Sequence, residues 1–238
     1  MEKTATPNVF KKVIILAGIL ILPGFLYYLL EKKGENRYTV LPIYGEKTLT
    51  GTFTSRMGEQ IPDTLYHEIS PFTLTNELGE PVHVLAADTT LSVVCFFYTR
   101  CSSTCRHMND EMNRVADRFK QNDLVRFYSV SVDTAFDSPE VLQEYANAYT
   151  PKEKKWDFLT SGKDDVYQIA REGFLVDAVQ DTTQEEVAFF HSMSLVLVDT
   201  HRRIRGYYDA NDKSAVDRLI DEINLLLVQE IRERSPLQ

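Results

Sequence analysis

Basic residues are in short supply in this chain: 26 Lys and Arg stand against 35 Asp and Glu, a formal net charge of -9. Such a surface repels phosphate backbones, which excludes nucleic acid as a natural partner. Cysteine is scarce as well. Three in 238 residues are too few for a disulfide scaffold, and the odd number leaves at least one thiol outside any pair. No internal repeat and no low-complexity tract is present, so the chain is neither a solenoid nor a biased linker. With 43% hydrophobic and 26% charged residues, it suits one ordinary globular domain with appendages.

Charge is missing altogether from Val13 to Leu30, VIILAGILILPGFLYYLL. A run of about 18 uncharged residues is the minimum for a bilayer-spanning helix. Gly18, Pro23 and Gly24 would weaken a helix in water but are tolerated in lipid, and Tyr27 and Tyr28 sit where an aromatic belt would lie. A cleaved signal peptide is the rival reading. The run is long for one, no small-residue cleavage site follows, and no cysteine lies nearby to take a lipid. The expectation is a retained transmembrane anchor at 13–30 after a tail at 1–12. Orientation is not decided by charge, because Lys3, Lys11 and Lys12 balance Lys32, Lys33 and Arg37. Residues 31–63, punctuated by Gly and Pro, read as a linker with short β-prone pieces at 38–44 and 48–54. The main domain is expected at 64–231, followed by a tail at 232–238.

Within that domain a turn signal at Asn76 to Gly79 implies a hairpin over 69–84. Ser92 to Tyr98 is apolar on both faces, as a covered central strand should be. Met108, Met112, Val115, Ala116 and Phe119 recur at helical spacing and predict a helix over 103–121. Further strands are expected at 124–132, 156–159, 187–190, 194–199 and 204–208. A helix should open at Ser138-Pro139 and run to 149, another should span 163–171 and stop at Gly173, and a long amphipathic one should span 213–231. This order of elements gives an α/β fold with a central mixed sheet flanked by helices. Cysteines at the first strand–helix junction narrow it to a thioredoxin-like fold.

That junction carries the chemistry. Cys101 and Cys105 stand in C-S-S-T-C, with three residues between them where redox motifs have two. The thiols then lie about one helical turn apart, which leaves open both a redox disulfide and a shared metal ion. The helix N-terminus, Arg100, Arg106 and His107 should lower the thiol pKa values. Two thiolates select soft ions such as Cu(I), or Zn, and do not close a site alone. His191, between two extended segments, is the candidate third ligand, with a satisfied core histidine as the bland alternative. His67, His83 and His201 read as solvated or packed, and His107 as a surface charge. Cys95 reads as a buried structural thiol and Met112 as core, while Met108 and Met193 stand close enough to the motif for a transient thioether role.

FFYTRCSSTC, SVSVDTAFDSPEVLQEYA, WDFLTSG and HSMSLVLVD followed by RGYY together resemble the Sco/SenC family of copper-binding, thioredoxin-like proteins, in order from about Phe72 to Leu227. The resemblance implies one N-terminal span with the domain on the extracytoplasmic, periplasmic side. It implies copper ligation by Cys101, Cys105 and His191, with Asp133 supporting them from nearby. It implies a copper chaperone, binding Cu(I) and with Cu(II) left open, whose partner is the copper subunit of cytochrome oxidase or another copper protein. Two family prolines are replaced here, by Ser102 and by Thr134. The alternative function is a thiol–disulfide oxidoreductase that keeps partner cysteines reduced. A copper-responsive sensor is a third reading, and a peroxidase is disfavoured because no Thr-x-x-Cys pattern is present. Whether the chain is an enzyme at all is left open by the sequence.

Overall fold

The computed structural model describes residues 9–33, 41–56, 59–86, 89–101, 104–149, 153, 155–161, 165–176, 178–181, 188–191 and 193–234. The side chains of much of the first helix and of 178–191 fall outside the description. The chain divides into two compact units, 1–40 and 41–238. In the first, helix α1 (Val9–Lys33) runs through the apolar segment with Pro23 inside it. Among the described residues no helix is long and apolar enough to cross a membrane, so the anchor expected at 13–30 is not shown as a span.

The second unit opens with a structure where a linker is expected. Strands β1 (Lys47–Arg56) and β2 (Glu59–Tyr66) form an antiparallel ribbon. Its ladder is broken between Leu49 and Phe53 by an irregularity at Gly51, whose φ is +78°. Asp63 ties the ribbon together by accepting from the hydroxyls of Thr52 and Thr54. Alternating threonines favour extended backbone, and these cross-strand bonds hold the ribbon without a core of its own.

The main sheet has seven strands: β3 (Phe72–Asn76), β4 (Pro81–Val84), β5 (Leu91–Phe97), β6 (Val125–Ser131), β7 (Trp156–Thr160), β10 (Ser194–Val198) and β11 (Ile204–Asp209). Strands β8 (Ala178–Asp181) and β9 (Ala188–His191) make a separate antiparallel pair. The sheet order is β11-β10-β5-β6-β7-β3-β4, with β5, β6 and β7 parallel and the other neighbours antiparallel. The mixed sheet is therefore as expected. The β3–β4 turn is built by Asn76, whose side-chain oxygen accepts from the backbone of Leu78 and Glu80, while Gly79 takes the positive φ of +78°.

Every residue of β5 is buried, because each face of the sheet is covered. Val93, Cys95 and Phe97 point into a core shared with helices α2 (Thr104–Phe119), α3 (Pro139–Ala146) and α5 (Lys213–Arg234). Val94 and Phe96 point the other way, into a core with Val166, Ala170 and Phe174. Ser138 caps α3 as expected, its hydroxyl accepting from Val141 N–H, with Pro139 in the first turn. The helix expected at 163–171 is shorter and shifted. Helix α4 covers only Val166–Gln168, capped by Asp165, and Ile169–Gly173 is wound as a π-helical turn closed by Phe174 N–H on Ile169 C=O.

Candidate metal centre

Cys101 lies four residues past the end of β5, and Cys105 lies in the first turn of α2. Neither is joined in a disulfide; Cys101 is half-buried and Cys105 buried. The backbone N–H of Cys101 turns back onto Tyr98 C=O at 3.3 Å. The N–H of Cys105 donates to Cys101 Sγ at 3.3 Å. The first sulfur therefore accepts one of the donors that a helix start leaves free, which fixes it against the second cysteine. Residues 102 and 103, between the thiols, lie outside the described residues.

Burial is the main influence on the pair. It pushes the Cys105 thiol up, with the Cys101 sulfur adding to the rise and a backbone hydrogen bond from Tyr98 opposing it. The lowered thiol pKa expected from the helix N-terminus and nearby cations is not found at Cys105. The Tyr98 hydroxyl is also pushed up, to about 12, by burial and then by the neighbouring Cys101 sulfur with which it is hydrogen-bonded.

The charge of Arg100 is engaged elsewhere. Its Nε donates to Asp133 Oδ2 at 2.9 Å, and its Nη2 to the same oxygen. Its guanidinium also lies 4.5 Å over the ring of Phe136. Asp133 is buried just after β6 and bears on the cysteine turn through Arg100. A second carboxylate does more, and sequence reasoning passed over it. Asp137 is fully buried and accepts from the backbone N–H of Thr99 at 3.0 Å, from the Thr99 hydroxyl, and from the Ser131 hydroxyl. It clamps the segment two residues before Cys101 to the end of β6. The signal available was its place in FDSPE, where an acid directly precedes a helix cap.

His191 is the last residue of β9, paired in register with Ala178. Its side chain lies outside the description, as does Ser192. β10 runs antiparallel to β5, with Val196 beside Val94 and Val198 beside Ser92, so β10 begins at the end of the sheet where β5 gives way to the cysteine turn. Met193, just before β10, is half-buried against the same core as Cys101 and Cys105.

The remaining candidates are accounted for. Met108 and Met112 are fully buried core residues. Cys95 is buried too; burial raises its thiol to about 12, and it lies 3.2 Å from the Ser129 hydroxyl. His67 bonds through Nε2 to Gly173 C=O at 2.7 Å, His83 through Nδ1 to the Thr73 hydroxyl at 2.9 Å, and His107 is exposed. Two adjacent sulfurs suit a soft ion or a disulfide.

Comparison with known proteins agrees with this architecture. A family model described as SCO1/SenC matches residues 62–227. A SCO1 protein homolog of Bacillus subtilis is 27% identical over 168 residues, 70% of this chain and 86% of that one. The crystal structure of a SCO1/SenC family lipoprotein from Bacillus anthracis superposes with a TM-score of 0.61 at 23% identity, covering 68% of this chain and 95% of that one. Arabidopsis thaliana ScoI, solved with copper bound, superposes with a TM-score of 0.55 at 23% identity, covering 69% and 98%.

Proposed function

The chain belongs to the SCO1/SenC family, and on that premise we propose that it is a membrane-anchored copper chaperone serving maturation of the copper site of cytochrome oxidase. Copper(I) is the cargo. Cys101 and Cys105 supply two thiolates and His191 the third ligand, with Asp133 steadying the turn through Arg100. The observation that carries this reading is the pair of reduced thiols at the head of α2, joined by the Cys105 N–H on Cys101 Sγ. The start of β10, three residues after His191, lies at the same end of the sheet as that turn. The copper bound by the Arabidopsis relative supports the choice of ion.

Thiolates and one imidazole suit Cu(I), and a three-ligand site leaves a side open for a partner's ligands to take the ion. Binding needs both sulfurs reduced and deprotonated, so loading is tied to redox state and to pH. In this reading the domain at 64–231 stands on the extracytoplasmic side. α1 is the anchor, supported by the uncharged sequence from Val13 to Leu30 and by apolar side chains exposed along it, among them Leu16, Ile19, Leu22 and Phe25.

The test is titration of the reduced full chain in detergent with Cu(I) under competition, beside His191→Ala. One ion per chain, weakened by the substitution, is the expected result. Copper binding indifferent to His191→Ala, together with brisk reduction of a disulfide substrate, would make the chain a thiol–disulfide oxidoreductase instead.

A further inference from the structure

A second cluster of ligating side chains lies at the opposite end of the sheet. Because β10 is antiparallel to β5, the residue after β10, Asp199, sits beside the beginning of β5, while Cys101 follows its end. Seven strand residues at about 3.3 Å each separate the two. His201 stands in the β10–β11 turn and Glu230 near the end of α5. One carboxylate oxygen from each acid and one ring nitrogen of His201 lie within 4.8 Å of one another.

The burial of this cluster is its telling feature. Glu230 is only 5% exposed. Its Oε2 accepts from the Thr200 hydroxyl, while its Oε1 is buried with no hydrogen-bond partner among the described residues. A buried acceptor left unpaired destabilises the fold, and more so when charged. Such a cost is understandable where the oxygen is a ligand atom. One imidazole and two carboxylates suit a borderline divalent ion such as zinc, while calcium would ask for six or more oxygens.

Two arginines already attend Asp199. Arg203 Nε and Arg205 Nη1 both donate to its Oδ2, at 2.9 and 3.0 Å, and its Oδ1 accepts from the backbone of His201 and Arg203. Arg205 is fully buried and also held by the carbonyls of Leu41 and Pro42, so it stays in place. Arg203 has a side chain 20% exposed, and its Nη2 lies 3.3 Å from His201 Nδ1. Its guanidinium thus lies against two of the three ligands, with the Tyr66 ring 6.0 Å away and part of its surface open to solvent.

We propose that Asp199, His201 and Glu230 form a second metal site, for one zinc-like divalent ion, which binds by taking the place of the Arg203 guanidinium. No bond is made or broken beyond coordination, and Arg205 remains as counter-charge to Asp199.

The test uses the full chain in detergent with Cys101→Ser and Cys105→Ser, so that the thiols contribute nothing. Zinc alone is titrated calorimetrically, and cobalt(II) serves as a spectroscopic stand-in. One ion per chain is expected, with cobalt d–d bands and no sulfur charge-transfer band. Glu230→Gln and His201→Ala should each weaken binding by at least about tenfold, the loss seen even for outer partners of a metal. Arg203→Met should tighten it. Absence of binding, binding indifferent to both ligand substitutions, or weakening by Arg203→Met would overturn the proposal. Should Glu230→Gln fail to fold, the exposed His201 and the displaceable Arg203 decide. The copper reading is untouched by any of these results, since its thiols are absent from the assay.

Discussion

Replacing Asp137 by Asn is the sharpest probe of how the cysteine turn is held. The carboxylate is fully buried and takes three donors, the Thr99 N–H and the hydroxyls of Thr99 and Ser131. An amide keeps the shape but can accept on one side only. If its oxygen replaces Oδ2, the Thr99 hydroxyl bond is lost or reversed; in the other orientation the Thr99 N–H and Ser131 hydroxyl face an NH2 group. Hydrogen bonds to a charged partner contribute about 1.5–3 kcal/mol each, so a loss of about 2–5 kcal/mol is expected. With a urea slope of about 1–3 kcal/mol/M, the unfolding midpoint of the reduced, metal-free chain should fall by about 1–2 M. Thr99→Val, which removes one donor and keeps the N–H, should cost about a third of that. Copper affinity should fall in the same order, because Thr99 lies two residues before Cys101. An Asp137→Asn midpoint equal to that of the unsubstituted chain would refute the clamp. A lowered midpoint with unchanged copper affinity would show that the clamp serves the fold and not the site.

Stability should decline above about pH 9: burial raises Cys95 from 9.0 to about 12, so the folded chain binds the proton more tightly than the unfolded one across that window. Each such group adds a slope of about 1.4 kcal/mol per pH unit, and Cys95→Ala should flatten the alkaline limb by that amount in denaturation measured at successive pH values. Copper affinity should rise with pH, about tenfold per unit for every thiol proton released, and the raised Cys105 thiol keeps that dependence going through the alkaline range. Arg205→Met should cost about 3–5 kcal/mol by calorimetry or denaturant, since it takes one of two guanidinium partners from buried Asp199 and leaves two backbone carbonyls without their donors. Phe136→Ala should cost only about 0.5–1 kcal/mol, the worth of an exposed cation–π contact with Arg100.

Much of the sheet was legible in the sequence for a plain reason. LSVVCFF is apolar at both parities, and only a strand covered on both faces buries every position. The α2 stripe of Met108, Met112, Val115, Ala116 and Phe119 was equally clear, and all five are buried. The β1–β2 ribbon was not seen as paired, because threonines bonded across to one aspartate leave no apolar alternation to find. The shift from an expected helix at 163–171 to α4 with a π-turn depends on one misaligned bond, Phe174 N–H to Ile169 C=O, which periodicity does not encode. At the site, Cys101 and Cys105 announced themselves by spacing. The hold of Asp133 on Arg100, expected to act on the thiols, was not visible because the two are distant in sequence. Asp137 was missed because an acid before a helix cap looks solvent-facing until its inward turn is known.

The strand order carries a consequence for biosynthesis. β5, α2, β6 and β7 are made and can pair in parallel before β10 exists, yet β10 must slot in beside β5. A ribosome-bound or truncated chain that ends before Ser194 therefore leaves that edge of β5 unpaired. During that interval the edge of β5 is open to a strand from another chain in place of β10.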